Sequence, residues 1–393
     1  MPGAAKPLTI VHISAYFQPQ LGYQEYYLAR EMAALGHHVH VITSDRYHPF
    51  PDFESTAGPL LGKRVVGTGV AHMDGFTVHR LPLLWEHRNR VIVRGISKCL
   101  ERIRPDVVIM HGTTNLMNLM PLVRVGEFEY SVIADEHNLP SVADNGLLAR
   151  LYYAAWGFWI RRLVRAGRMK VVGVADECVR FAVHAFGLHP DEVYNIPLGA
   201  DHRLFRPDAS VRQDKRSELG FAPQDVVIMY AGKICHSKDP MLLLDACLPV
   251  ADECDLKFLF VGNVESAYTA RFNSARGDSP RVIHVPAVPN SDLWRYYNAA
   301  DIACWPKHTS LSMIEAASTG LPIVVAQELK ERLAYQNGIG IRQCNLEDIR
   351  NAIMTLARDH QMRVEMGRRG RQLVEDNLSY QVIARRFLAL ART

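Results

Sequence analysis

The feature that most restricts this chain is the alternation of short, β-branched apolar runs with longer amphipathic stretches. The runs fall at residues 8–13, 39–43, 107–110, 131–135 and 171–174, and then at 226–231, 258–261, 282–285, 302–305 and 323–325. Gly, Pro, His or Asp closes many of them. Apolar runs without polar alternation fit strands buried on both faces, which is the situation of a parallel sheet. Helical periodicity fills the intervals at 25–35, 91–102, 241–251, 291–299, 313–319 and 346–359. Strand–helix–strand repetition predicts an α/β chain with right-handed crossovers.

The alternation restarts. Residues 196–225 are rich in charge, Pro and turn formers, and the run 226–231 then opens a new first strand. This places a boundary between Leu198 and Pro207 and predicts two doubly wound halves: residues 1–200, and residues 201–375 with a closing helix at 376–393. In open α/β sheets, ligands sit at the carboxyl ends of strands, so two such sheets predict two ligands meeting in a cleft between them. Residues 47–80 are irregular and rich in Gly and Pro. They read as a long surface insertion or hairpin on the acceptor side.

Composition excludes several classes. With 393 residues the chain can bury two cores without staples. Its 45 Lys plus Arg against 41 Asp plus Glu give a net charge of +4, too small for a duplex nucleic-acid binder. Seven cysteines, with no C-x-x-C, fit neither a disulfide framework nor a zinc ribbon, and point to a reducing, cytosolic compartment. The N-terminus does not read as a signal peptide. No apolar run reaches the ~18 residues of a spanning helix.

Three stretches carry chemistry. In 230–240, YAGKICHSKDP, a strand end is followed by Lys233 and Lys238. Two ammonium groups at the carboxyl end of a first strand suit a diphosphate; the plainer account is two solvated lysines. In 304–325, hydroxyl-rich residues lead into a helix bearing Glu315. Thr309, Ser310 and Ser312 are candidate caps, and Ser312 with Glu315 has capping-box spacing. Amides at that helix start suit an anion, and the carboxylate suits ribose hydroxyls; the plainer account is an ordinary capped helix. Residues 150–170 hold Arg150, Arg161, Arg162, Arg165, Arg168 and Lys170 with no Asp or Glu. They read either as a membrane-surface helix or as a half-buried helix with Tyr152, Trp156 and Trp159 packed under the sheet.

These stretches, with HISAYFQPQLGYQEYYLAREMAALGHHVHVITSD near the start, IPLGADHRLFRPD at 196–208 and GRRGRQLVEDNLSYQVIARRFLAL near the end, make the chain resemble a GT-B glycosyltransferase of retaining family 4, the group 1 type. The resemblance runs nearly end to end. It implies two Rossmann-like domains facing each other across a cleft, a nucleotide-diphosphate-sugar donor, UDP- or GDP-linked, on the second domain, and an acceptor on the first. Lys233 and Lys238 would hold the diphosphate and stabilise it as it leaves. Ser310, Leu311, Ser312 and Glu315 would complete the donor site, with Glu315 on the ribose. Gly22 would let backbone amides approach the phosphate or sugar. His137, in ADEHN, would stand near the reacting sugar, and His111 would line the acceptor side.

Two departures from the family pattern stand out. The first Glu of its Glu-x7-Glu motif falls on Lys307, and the loop before the helix is about three residues short. A bulkier residue, Leu21 or Tyr23, stands beside Gly22 where Gly-Gly is common. No D-x-D occurs, so neither metal nor cofactor is expected, and lysines and amides would carry the electrostatic catalysis. The implied activity is hexosyl transfer to a glycan or lipid-linked acceptor in polysaccharide biosynthesis, cytoplasmic or at the inner membrane face, with no nucleic-acid partner. The rival readings are a degenerate nucleotide- or glycan-binding relative and another GT-B enzyme, such as a nucleotide-sugar epimerase or a phosphorylase.

Overall fold

The computed structural model describes residues 6–87, 89–140, 146–308, 310–326 and 336–392. The chain divides into two compact units. The first comprises Met1–Pro49, Lys63–Leu198 and Tyr380–Thr393, and the second Phe50–Gly62 and Gly199–Ser379.

The first unit contains β1 (Thr9–Ile13), β2 (His38–Ser44), β3 (Gly69–Met73), β4 (Phe76–Leu81), β5 (Leu83–His87), β6 (Arg90–Val93), β7 (Val107–His111), β8 (Ser131–Glu136), β9 (Met169–Gly173) and β10 (Val193–Asn195). Its eight-stranded sheet runs β10-β9-β8-β7-β1-β2-β4-β3. All of its pairs are parallel except β3–β4. Because side chains alternate, each strand feeds two cores. Ile10, Ile109 and Ile133 face the helices Gln24–Ala34 and Tyr380–Ala391 through Tyr27, Leu28, Ile383 and Phe387. Val11, Val108 and Val132 face the other way, onto Leu100, Tyr153, Trp156 and Phe181.

The second unit contains β11 (Val226–Ala231), β12 (Leu256–Val261), β13 (Val282–Val285), β14 (Ile302–Trp305), β15 (Ile323–Ala326) and β16 (Gly338–Ile341). They form an all-parallel sheet in the order β13-β12-β11-β14-β15-β16. Counted from its own first strand this is 3-2-1-4-5-6, the doubly wound order in which the sheet reverses direction beside strand one.

The expected strands stand within about two residues of where the apolar runs put them. One expectation needs correction, and two polar stretches gain detail. Residues 91–102 are not one helix: the β-branched stretch Arg90–Val93 pairs antiparallel with β5, Gly95 turns the chain at φ 98°, and only Ile96–Ile103 is helical. Within residues 47–80 the hairpin forms: β3 and β4 pair antiparallel and extend the main sheet beside β2, and Phe53–Thr56 and Gly58–Leu61 are short helices. The polar stretch 196–225 is helical past the expected boundary. It holds the helix Ala209–Glu218, capped by the Asp208 carboxylate on the amides of Ser210 and Val211.

Candidate functional site

In the second unit the sheet reverses between β11 and β14, and the predicted donor residues follow those two strands. Ala231 ends β11. Its carbonyl accepts from Trp305 Nε1 at 3.0 Å and Ser312 Oγ at 2.8 Å, which fastens the start of the helix Ser312–Ser318 to the strand end. The loop then turns through Gly232, whose amide donates to Val261 O, and crosses so close to the chain after β12 that a Cβ on Gly262 would meet Gly232 O at 1.9 Å. Lys233 is half-exposed, with Nζ 2.6 Å from Glu265 Oε1. Lys238 is partly buried, and that burial pulls its pKa below the ordinary lysine value.

The capping box is absent. Ser312 points its hydroxyl back at Ala231 O and lies 2.7 Å from Ser310 Oγ, and the N-cap position, taken by Leu311, offers no side-chain cap. Thr309 lies outside the described residues. Glu315 is buried, with Asn290 Nδ2 donating to Oε1 at 2.7 Å and the Tyr297 hydroxyl 3.4 Å from Oε2. Desolvation raises its pKa to about 7 against those two hydrogen bonds.

In the first unit the sheet reverses between β1 and β7, and a polar cluster continues one apolar face there. The face that carries Ile10, Ile109 and Ile133 continues, two residues on along each strand, as His12, His111 and Asp135. His12 Nδ1 lies 2.9 Å from His111 Nε2, and His111 Nδ1 lies 2.6 Å from Asp135 Oδ2. Asp135 also accepts from Gln24 Nε2 at 3.2 Å and the Gly112 amide at 3.1 Å. Its other neighbour is His137 Nε2, at 3.2 Å.

Burial disfavours the Asp135 charge, yet His111 and His137 hold its carboxyl well below the usual range. Desolvation would lower His137, but the Asp135 charge and hydrogen bond outweigh it and raise the imidazole to about 9. Desolvation and the neighbouring His111 push His12 well below an ordinary histidine. Glu25, in the first turn of the helix that covers this face, is raised by desolvation. Gly22 has φ 67° and its own amide donates to Pro19 O, so glycine supplies a left-handed turn at this position. Among the described residues, no group of three or more His, Cys, Asp or Glu is arranged to hold a metal ion.

The helix Leu147–Arg165 divides its aromatics. Tyr153 and Trp156 are buried, whereas Leu148 (83% exposed), Leu151, Phe158 and Trp159 (53%) face out, with Arg162 and Arg165 beyond them. Arg161 instead turns inward to the Phe186 carbonyl. Beside this helix, Leu119, Leu122, Val123, Trp156, Trp159 and Leu163 line an apolar groove of about 260 Å³. Among the described residues no helix is long and apolar enough to cross a membrane.

The structure thus sets Lys233, Lys238, Ser310, Leu311, Ser312 and Glu315 around the reversal of one sheet, and His111 and His137 around the reversal of the other. Sequence reasoning missed His12, Gln24, Glu25, Asp135, Glu265, Asn290 and Tyr297. The available signal was polar residues at or near the ends of neighbouring strands: His12 in β1, His111 in β7 and Asp135 in β8.

Comparison with known proteins follows the same division. Residues 24–204 match the family described as Glycosyltransferase Family 4, and residues 225–359 match Glycosyl transferases group 1. The chain is 30% identical over 176 residues to the D-inositol 3-phosphate glycosyltransferase of Nocardia farcinica, covering 42% of this chain and 38% of that one. It is 28% identical over 229 residues to the enzyme of that name from Geodermatophilus obscurus, covering 52% of this chain and 50% of that one. The matches therefore span half or less of these relatives' length. Among solved structures, sucrose-phosphate synthase from Thermosynechococcus elongatus superposes with a TM-score of 0.73 at 18% identity over 98% of both chains. WaaG, a glycosyltransferase involved in lipopolysaccharide biosynthesis, gives 0.66 at 15%, over 97% of this chain and 99% of that one. Anabaena HepE in complex with UDP and glucose gives 0.71 at 13%, over 98% and 100%. With a family model on each half and this architecture in both, the chain belongs to the family 4-like glycosyltransferases of the GT-B fold.

Proposed function

We propose that this chain moves a sugar from a nucleotide-diphosphate-sugar, UDP- or GDP-linked, to a hydroxyl of a glycan or glycolipid, with retention at the transferred carbon and without a metal. One observation carries the reading: Lys233 and Lys238 follow β11, at the reversal point of a 3-2-1-4-5-6 sheet. Ammonium groups there stabilise the charge that collects on a departing diphosphate, and they need no reorganisation as the bond breaks. Glu315 takes the ribose. His137, protonated at neutral pH, donates to a sugar or acceptor hydroxyl and does not act as a base. The UDP held by the HepE structure supports the donor class.

The outward stripe Leu148–Leu151–Phe158 with Arg162 and Arg165 supports a lipid-linked acceptor met at an anionic membrane face, the cytoplasmic one.

The deciding experiment is nucleotide release from a panel of UDP-, GDP-, ADP- and TDP-sugars, with and without glycan acceptor, in EDTA. Acceptor-dependent release that survives chelation supports the proposal. Release without acceptor points to an epimerase or hydrolase, and no release to a degenerate binder. Lys233→Ala and Lys238→Ala should each cost on the order of 10²–10³ in turnover, and near-wild-type rates in both would remove the diphosphate assignment.

A further inference from the structure

The second unit contains a lysine that this donor chemistry leaves unused. Lys307 stands two residues past the end of β14, and its Nζ lies 3.0 Å from the main-chain carbonyl of His236, inside the loop that carries Lys233 and Lys238. Gln343 Nε2 fixes the Lys307 carbonyl at 2.8 Å. Among the described residues no carboxylate lies within ion-pair distance of this ammonium, so a neutral oxygen is its recorded partner. Lys233 is the opposite case, because Glu265 Oε1 already stands 2.6 Å from its Nζ. A diphosphate approaching Lys233 therefore meets a cation whose charge is largely cancelled. Lys238 and Lys307 also act on one neighbour: burial first, then these two charges, lower the pKa of His308.

We propose that Lys307 is a third phosphate-binding lysine of the donor site, supplying the charge that Glu265 cancels at Lys233. This rests on the nucleotide-diphosphate reading above. A bond from an ammonium to a neutral carbonyl is weaker than one to a phosphate oxygen, so Nζ exchanges His236 O for the ligand at a net gain. The four-carbon stem lets it swing while Gln343 holds the backbone still. Glu265 acts in the opposite sense, competing with the donor for Lys233.

The two residues thus predict effects of opposite sign, read by calorimetry with UDP, UMP and uridine, and with the guanosine series if that base binds better. Lys307→Gln should weaken the diphosphate by roughly ten- to a hundredfold, the scale of one charge-assisted hydrogen bond, and leave the monophosphate nearly unchanged. Glu265→Gln should tighten the diphosphate several-fold, a gain that a damaged fold does not produce. Unchanged diphosphate binding in Lys307→Gln, equal losses for mono- and diphosphate, or weaker binding in Glu265→Gln would overturn the inference. A loss in Lys307→Gln confined to a donor with an acidic sugar would also overturn it and reassign the lysine to the sugar carboxylate. Wild-type protein that binds no nucleotide would sink the donor reading itself, whereas wild-type binding with an indifferent Lys307→Gln would sink only the role of Lys307.

Discussion

His111 and Asp135 are register partners on adjacent parallel strands, and their side chains meet at 2.6 Å. Asp135 is fully buried and ionised, so His111 Nδ1 carries the proton that points at it. His111 Nε2 in turn lies 2.9 Å from His12 Nδ1, and His12 Nε2 is buried with no hydrogen-bond partner among the described residues. One carboxylate thereby orients the His111 ring and holds the charge of another imidazole, His137.

Asp135→Asn should move the His137 titration from about 9 toward the ordinary imidazole value of roughly 6.5. The sign follows from linkage: a raised histidine stabilises the fold below its unfolded pKa and loses that contribution as pH rises through 9. Ring-proton NMR across that range is the check. A midpoint unmoved by the substitution would detach His137 from Asp135.

Acid should destabilise the first unit through a different pair. His40 Nδ1 lies 3.0 Å from His79 Nε2 on β2 and β4, and desolvation, with His40 second, lowers His79 to about 4. A depressed histidine contributes its stability above its unfolded pKa and loses it as pH falls from there through 4. On this shift the loss is on the order of 2–3 kcal/mol. Urea midpoints at pH 7 and pH 4.5 should differ by less in His79→Gln than in wild type; an identical pH dependence would contradict the assignment.

Glu315→Gln should trade binding for stability. Its carboxyl is raised to about 7, so the folded state pays for ionising it as pH rises from its unfolded value through 7. The amide keeps the bonds to Asn290 and Tyr297 without that penalty and should stabilise the free protein by about 1–2 kcal/mol at pH 8. Free nucleotide diphosphate should bind more weakly, because a neutral amide holds ribose hydroxyls less well. Stabilisation with unchanged affinity would reduce Glu315 to a packing residue.

The exposed stripe on Leu147–Arg165 predicts flotation with anionic vesicles that fades with salt, each basic residue near the surface contributing ~1 kcal/mol. Reversing Arg162, Arg165 and Arg168 to Glu should abolish flotation and spare turnover on a soluble acceptor. Arg161 is the wrong choice for this test, since it holds the Phe186 carbonyl. Wild-type protein that fails to float at low salt would end the membrane reading.

The two doubly wound sheets were legible because parallel strands are continuous apolar runs and periodicity counts them. The placement of Lys233 and Lys238 after β11 was legible because they sit in one loop beside a strand. Asp135 was not, since it completes an apolar run and only the pairing of β8 with β7 shows that it faces His111. Glu265 and Asn290 were hidden for the same reason, each lying more than twenty residues from the side chain it holds. The misread stretch at 91–102 shows the converse error. Its apolar spacing suited a helix, but four β-branched or long side chains with a hairpin partner at β5 favoured a strand, and Gly95 separated the two.

The division of the chain sets the order in which the protein can be made. Tyr380, Ile383 and Phe387 close one face of the sheet that begins at Thr9. Until Tyr380–Ala391 has been synthesised, that face is covered only by the helix Gln24–Ala34, although all of the unit's strands are already complete. The second unit, whose last segment ends at Ser379, finishes first. A nascent chain therefore carries a half-covered apolar face from the completion of β10 until that helix emerges. A fragment cut after Leu198 would keep it so permanently, so the first half can be produced alone only with the distant helix grafted back onto it.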